Sequence, residues 1–334
     1  KINLKIKILT GDAKEVAEKV AIDLGLCEKG EVILGEDLDK MSKEELLKVC
    51  EKYNVFARVL PEHKFKIISA LQEKYFVGYL GEGINDALAL KTSDVSIVVD
   101  TATDITKEEA DVILREKDLS LIVDAIYEGR KAVFNIGKYL KHTMSDNFGN
   151  FFSVAFLSLI LKYTPLTPVQ VLLTNLLTDL PLAFIAYDNV KNKDIKKSIE
   201  ISSFEFIMLL VLLGMVAAFI NIGAYLLVKD YSIDIVRTTI FLITTLTGIF
   251  VMFSIRTKDW IIFAPKMPFI VLLSLIVSIF LTFMFILHSF FMRIFSFKFL
   301  PIGIIYKLLI LLTIFFILTE LAKKLYYKIF PDSL

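Results

Sequence analysis

Six long apolar stretches occupy the second part of the chain. A helix that crosses a lipid bilayer needs about 20 mostly apolar residues, and each stretch approaches or exceeds that length. We therefore expect an all-α transmembrane bundle of six helices, embedded in a lipid bilayer. The predicted spans are Ser145–Leu161, Thr167–Tyr187, Phe204–Val228, Ile235–Ile255, Pro268–Phe290 and Leu300–Tyr326.

Charge is distributed unevenly over the 334 residues. Residues 1–141 hold 22 Lys and Arg and 26 Asp and Glu, whereas residues 142–334 hold 16 and 11. The net charge of +1 excludes the strong positive field of a nucleic-acid-binding protein. The two cysteines form no closely spaced pair, which argues against a disulfide scaffold or a zinc site. A polar domain therefore precedes a membrane domain.

The polar part alternates between strand and helix patterns. Ile2, Leu4, Ile6 and Ile8 alternate with polar residues, as in a half-buried strand. Helical spacing follows over 13–24, and Ser42 with Glu45 predicts a capping box for a second helix. This alternation predicts an α/β fold with a parallel sheet. The other predicted strands are 32–34, 55–59, 76–80, 95–99 and 112–114, and further helices are predicted at 61–72 and after 86.

Polar motifs follow three of these strands, at the sheet edge where ligands usually bind. The first, Thr10-Gly11-Asp12, offers a hydroxyl and free N–H groups to a phosphate, although Thr or Asp before a helix is also an ordinary N-cap. The second runs from Phe56 to Lys64. A lysine in the first helical turn opposes the helix dipole unless an anion binds nearby, and a solvated surface lysine is the alternative.

The third motif is Gly81-Glu82-Gly83-Ile84-Asn85-Asp86. Its two glycines permit a tight turn and close approach of the backbone to a ligand. Glu82 and Asp86 place two carboxylates near one turn, with Asn85 between them. Hard oxygen ligands of this kind suit Mg²⁺, and an acidic turn with a helix cap is the alternative.

Together the three motifs resemble the TGD, FARxxPxxK and GDGxNDA motifs of P-type cation-transporting ATPases. The resemblance implies a partial haloacid-dehalogenase-like phosphorylation domain over residues 1–118, a stalk helix over 119–143 and a transmembrane domain over 144–334. It implies Mg²⁺ and ATP as cofactors, with the nucleotide site mostly outside this chain. The implied catalytic residues are Thr10, Gly11, Asp12, Lys64 and Asn85, and the implied ligands of catalytic Mg²⁺ are Glu82 and Asp86.

The sequence departs from the family pattern at two levels. Glu82 stands where the family has Asp, which displaces the carboxylate by one methylene. The DKTGT segment with the phosphorylated aspartate is absent from the sequence, as are counterparts of the nucleotide-binding domain, the actuator domain and the first four membrane helices. We therefore expect the C-terminal part of a pump that cannot hydrolyse ATP alone and whose partner is the missing N-terminal half. A non-catalytic membrane remnant, a subunit of a split pump and a membrane-tethered phosphatase are the alternatives, and the phosphatase also lacks its nucleophile.

Polar residues inside the first two predicted spans indicate a cation site, because such residues are costly in lipid. Asn147 and Asn150 lie in the first span. Asn175 and Asp179 lie four residues apart on one helix face in the second, and Pro181 leaves a backbone carbonyl without its helical partner. Interhelical hydrogen bonds are the alternative.

The sequence of the second span resembles the NLxTD ion-site helix of calcium- and magnesium-transporting P-type ATPases, which adds Thr178 to the predicted ligands. Asn147–Asn150 and Asp188–Val190 are more similar to the magnesium-transporting members. Asp179 is predicted to be the only carboxylate clearly inside the bundle, and a single acid suits one partly hydrated Mg²⁺. Mg²⁺ is therefore the favoured transported cation, with Ca²⁺, H⁺ and other monovalent ions left open.

The distribution of basic residues predicts the orientation in the membrane. Cytoplasmic loops carry an excess of Lys and Arg. Loop 188–203, loop 256–267 and the C-terminal tail carry more of these residues than the opposite side, with Lys191, Lys193, Lys196 and Lys197 in the first loop. We expect a multi-pass protein of the cell membrane with both termini in the cytoplasm.

Overall fold

A computed structural model describes residues 4–192, 194–195 and 203–331. The chain divides into two compact units, Lys1–Ala125 and Ile126–Leu334. The predicted domain limits at residues 118 and 143 stay a prediction. The expectations for Ile2, Lys193, Lys196 and Lys197 concern positions outside the described residues.

The first unit is an α/β structure built on parallel strands, as predicted. Its strands form two three-stranded parallel sheets with the orders β1-β3-β2 and β4-β5-β6. The strands are β1 Ile8–Leu9, β2 Val32–Leu34, β3 Val55–Ala57, β4 Gly78–Gly81, β5 Val95–Val99 and β6 Val112–Leu114. The helices are α1 Lys14–Asp23, α2 Gly35–Leu38, α3 Lys43–Lys52, α4 Pro61–Leu71, α5 Ala87–Thr92 and α6 Asp104–Glu108.

Local signals fix several of these elements. Ser42 and Glu45 form the predicted capping box at the start of α3, with Ser42 N–H donating to Glu45 Oε2 over 2.9 Å. Pro61 opens α4, where a residue without an N–H costs nothing. Gly25 adopts a φ of +69° just after α1, a conformation that favours glycine.

The main difference from the predicted sheet concerns β1 and β4, which are edge strands of two separate sheets. The predicted first strand shortens to Ile8–Leu9, and Leu4 and Ile6 are exposed. No backbone pairing joins β1 to β4 among the described residues. The six strands therefore form two sheets rather than one.

The second unit is helical. It contains the greater part of α7, Ser120–Ile160, followed by α8 Pro168–Leu182, α9 Ser203–Val228, α10 Ile233–Ile255, α11 Phe269–Leu287, α12 Ser289–Ile294 and α13 Ile302–Ile329. Five segments within the described residues are long and apolar enough to cross a membrane. They correspond to the second to sixth predicted spans. The predicted first span is the end of the 41-residue α7 and is not among the five, so a six-span bundle stays a prediction.

Helix α10 is the centre of this bundle. Its apolar stretch is 89% buried, against 22–44% for the other four spans. Glycines allow close packing between other helices of the bundle. A Cβ on Gly149 of α7 would lie 2.8 Å from the carbonyl oxygen of Gly214 in α9. Small residues that let backbones approach in this way are typical of helix contacts in membranes.

Candidate functional site

The first two polar motifs lie side by side in the first unit. Thr10 N–H donates to the carbonyl of Phe56 over 3.0 Å, which extends the pairing of β1 with β3. Beyond the strands, Arg58 N–H donates to the carbonyl of Asp12 and Val59 N–H to that of Thr10, both over 3.0 Å. The Thr10 hydroxyl donates to Asp12 Oδ2 over 2.7 Å. The two motifs therefore form one rigid loop pair at the carboxyl ends of these strands.

A tight backbone crossing supports this loop pair. Arg58 has a φ of +52°, an unusual conformation for a residue with a side chain. Its carbonyl oxygen lies directly against Gly35, where a Cβ would overlap it and would lie 2.6 Å from Nδ1 of His63. The same Nδ1 accepts a hydrogen bond from Leu60 N–H over 3.1 Å. The chain entering α4 is thus held in one conformation.

The third motif joins this loop pair through one ion pair. Lys64 Nζ donates to Asp86 Oδ1 over 2.6 Å, and the Tyr79 hydroxyl donates to the same oxygen over 2.7 Å. The other oxygen accepts the N–H groups of Glu82 and Gly83 at 3.3 and 3.4 Å. Burial works to raise the pKa of Asp86, but the hydrogen bonds from Lys64 and Tyr79 outweigh it and hold the pKa below its usual value.

The remaining polar groups of the third motif are open to solvent. Glu82 and Asn85 are exposed, and Glu82 pairs only loosely with Lys117 at 3.7 Å. Asp86 already receives four donors, so Glu82 and Asn85 are the oxygen groups available to a ligand. Within the described residues, no group of three or more His, Cys, Asp or Glu side chains could hold a metal alone.

The predicted transport residues of the second unit do not share one environment. Thr178 is buried, Asn150 and Asn175 are half-buried, and Asn147 and Asp179 are exposed. The Thr178 hydroxyl donates to backbone carbonyls within α8 at 3.2 Å. The structure therefore brings part of the predicted set to the interior and leaves the rest on the surface of the unit.

Asp146 is the residue that the sequence reasoning missed. Its side chain is 6% exposed, and its Oδ2 accepts a hydrogen bond from Asn150 Nδ2 over 3.1 Å. The prediction that Asp179 is the only carboxylate inside the bundle is therefore wrong. The spacing Asp146–Asn150 is one helical turn, so the face of α7 that carries Asn150 also carries Asp146.

A second buried charge cluster lies beside the start of this unit. Asp188, fully buried, accepts from Lys138 Nζ at 2.7 Å and from two nitrogens of Arg256 at 2.7–3.1 Å. Asn135 donates to the carbonyls of Ala186 and Asp188 over 2.9 Å. These ion pairs and hydrogen bonds connect three parts of the chain: α7, the segment after α8 and the end of α10.

Comparisons with known proteins include matches to the membrane part of the chain. The family model described as "Cation transporting ATPase, C-terminus" matches residues 163–325. The magnesium-transporting ATPase, P-type 1, of Escherichia coli is 44% identical over 195 residues, which cover 58% of this chain and 22% of that relative. The family-model match includes α8, the helix that holds Asn175 and Asp179.

Other relatives cover more of the chain at lower identity. Calcium-transporting ATPase 1 of Bacillus cereus is 35% identical over 81% of this chain and 30% of its own length. A putative cation-transporting ATPase of Methanocaldococcus jannaschii is 33% identical over 76% of this chain and 32% of its own length. The chain thus spans less than a third of the length of these relatives. The matched regions together identify the chain as a C-terminal portion of a P-type cation-transporting ATPase, with strong similarity to the magnesium-transporting members.

Proposed function

We propose that this chain is the phosphate-gripping and ion-carrying portion of an ATP-driven cation pump that works through an aspartyl phosphate supplied by another segment. The Lys64–Asp86 ion pair carries this proposal, because it gathers the three polar motifs at one place. The Lys64 ammonium and the Thr10 hydroxyl are suited to binding a phosphoryl group, because such donors stabilise the charge that develops on its oxygens.

The oxygen donors of the third motif fit a catalytic Mg²⁺. Mg²⁺ keeps several waters and takes one or two protein carboxylates together with phosphate oxygens, and two exposed oxygen side chains on one turn meet that need. Glu82 and Asn85 would hold the ion, with Asp86 fixing the turn between them. When bound, Mg²⁺ would neutralise charge on the transferred phosphoryl group. Thr10 and Lys64 would position that group, and the rigid pairing of their loops would keep both donors fixed.

Among the described residues, β1 and β4 each have an edge without a paired strand, which supports a missing strand. Both strands lead directly into polar motifs, and each lies at an edge of its sheet. A parallel strand inserted between them would pair with both edges and join the two sheets. An aspartate at the end of that strand would then lie near Thr10, Lys64 and Asp86. We propose that the phosphorylated aspartate is delivered in this way.

The polar groups of α7 and α8 support cation transport. Asn147 and Asp179 are exposed on helices of the membrane unit, and polar groups facing lipid are costly. Additional membrane helices would cover them and complete the site. We propose Mg²⁺ as the transported cation, passed through a six-span domain in the cell membrane with both termini in the cytoplasm. In the same proposal α7 acts as the stalk that connects the two activities.

The test combines this chain with an N-terminal segment that carries DKTGT, taken from a P-type relative. We expect ³²P to be incorporated from ATP, and we expect the transported cation, Mg²⁺, to stimulate this incorporation. Lys64→Met should lower phosphoenzyme formation by roughly 10²-fold, the scale of losing one transition-state donor. Lys66→Met is the matched control, because Lys66 lies on the same helix and pairs with the exposed Asp39. Asp179→Asn should remove the stimulation by the transported cation.

Equal phosphorylation in the Lys64 and Lys66 variants would contradict the phosphate site. Unchanged ion dependence in Asp179→Asn would contradict the transport site. Stimulation by Ca²⁺ and not by Mg²⁺ would support the proposed pump activity but contradict Mg²⁺ as the transported cation. Incorporation of ³²P by this chain alone would contradict the need for a separate nucleophile.

A further inference from the structure

Asp146 is a buried acid without a basic partner. It lies on α7 with 6% of its surface exposed, and Asn150 Nδ2 is its side-chain hydrogen-bond donor. No Lys or Arg side chain forms an ion pair with it in the part of the chain that the structure describes. A buried carboxylate without a compensating charge is strongly unfavourable. The fold therefore keeps a negative group here that requires a proton or a bound cation.

The surroundings of Asp146 are shaped by glycine. A Cβ on Gly248 of α10 would lie 2.8 Å from Asp146 Oδ1 and 2.6 Å from Cγ2 of Thr178. The backbone of α10 therefore lies against α7 and α8 at one point. Any larger residue at position 248 would displace the carboxylate or the threonine. Three helices thus pack closely together beside an acid oxygen.

Unsatisfied oxygen and nitrogen atoms surround this point. Asn150 Oδ1 is buried and has no hydrogen-bond partner among the described residues. His142, one turn before Asp146 and 1% exposed, contacts the carbonyl of Gly248 through Nε2 over 2.8 Å, while its Nδ1 has no partner within the same part of the chain. Buried polar atoms are rarely left unpaired, so these atoms indicate that a polar occupant belongs here.

A second carboxylate, that of Asp179, belongs to the same region. Asp179 directly follows Thr178 on α8, and Thr178 lies beside Asp146 at Gly248. Like charges so placed are stabilised by a cation between them. Divalent ions gain most from two carboxylates, and hard divalent ions take carboxylate and amide oxygens.

We propose that Asp146 is a direct ligand of the transported divalent cation, together with Asp179 and the amide oxygen of Asn150. This inference rests on the proposed function and adds to it a second carboxylate, contributed by α7. With both acids ionised, the site carries two negative charges and matches a divalent ion. His142 lies at the cytoplasm-proximal side of Asp146 in the proposed orientation and contributes no charge while its ring is neutral.

The test measures cation binding by the purified full chain in detergent. Mn²⁺ binding is followed by electron paramagnetic resonance, and Mg²⁺ binding by the increase in unfolding temperature that a ligand of the folded state produces. The variants are Asp146→Asn, Asp179→Asn and the control Asp230→Asn, whose aspartate is exposed after α9. Asp146→Asn should weaken Mn²⁺ and Mg²⁺ binding at least tenfold, and Asp230→Asn should leave it unchanged.

A second readout separates loss of a ligand from misfolding. Asp146→Asn removes an unpaired charge while keeping the side-chain shape, so its unfolding temperature in cation-free buffer should equal or exceed that of the wild type. A lower temperature there would overturn the claim that the acid is unpaired. Tight binding in Asp146→Asn with loss in Asp179→Asn would overturn this inference alone. The converse pattern would support Asp146 and contradict the proposed role of Asp179. No binding by the wild-type chain would overturn the inference that these three groups hold the ion, whereas the proposed function is tested separately by phosphoenzyme formation.

Discussion

Asp188→Asn tests whether the buried cluster of Lys138, Asp188 and Arg256 stabilises the helical unit. The native cluster has two cations and one anion, all buried. Asparagine keeps the shape and one acceptor oxygen but removes the negative charge. The variant therefore leaves two buried like charges without compensation, at the junction of α7, α10 and the segment after α8.

The magnitude follows from the burial of all three groups. Removing one partner of a buried ion pair costs about 3–5 kcal/mol, and the acceptor retained by asparagine favours the lower end of this range. For a unit of roughly 200 residues each kcal/mol corresponds to about 2–4 °C. We therefore expect the unfolding temperature to fall by about 6–12 °C.

The assay is thermal unfolding of the purified chain in detergent, with Asp230→Asn as the exposed control. That control should change the free energy of unfolding by less than about 0.5 kcal/mol, as surface substitutions do. Adding Lys138→Met to Asp188→Asn should restore part of the loss, because it removes one of the two uncompensated cations and residues in contact are not additive. A shift in Asp188→Asn no larger than that of the control would refute the reasoning.

Two further substitutions test the α/β unit. Gly35→Ala should destabilise by about 1–3 kcal/mol, because its methyl group would overlap a backbone carbonyl; Gly129→Ala, which meets no atom within 4 Å, is the control in thermal unfolding and should be neutral or slightly stabilising. The lowered pKa of Asp86 means that its contribution to stability is present above the unfolded pKa of about 3.9 and is lost as the pH falls through the folded pKa. As the pH is lowered from about 5 to about 2, the unfolding temperature should therefore fall more steeply in the wild type than in Asp86→Asn, and parallel curves would contradict this.

The elements that sequence reasoning predicted well depend on local contacts. The capping box of Ser42 and Glu45 and the start of α4 at Pro61 need only residues within one helical turn. The polar motifs at Thr10, Lys64 and Asp86 could be placed near each other because parallel strands bring their carboxyl ends to one edge. The observed ion pair of Lys64 with Asp86 is the contact that this rule leads one to expect.

Strand pairing was harder to predict because it depends on distant parts of the chain. The short β1, Ile8–Leu9, pairs with β3, more than 40 residues later. Alternation in the sequence indicates that residues near Ile6 form a strand, but it does not indicate a neighbour. Where no neighbouring strand is available, an edge shortens, and the exposed Leu4 and Ile6 are the result. The split into two sheets follows from the same cause.

The choice between Asp146 and Asn147 depends on the rotation of one helix. Successive residues differ by about 100° around an α-helix, so a buried face that includes Asp146 need not include Asn147. Ser145, Gly149 and Ser153 recur every four residues, and all three are buried. Such small residues mark the face that packs on neighbouring helices. Asp146 lies about 60° from Gly149 around the helix and Asn147 about 160°, which explains why the first is buried and the second exposed.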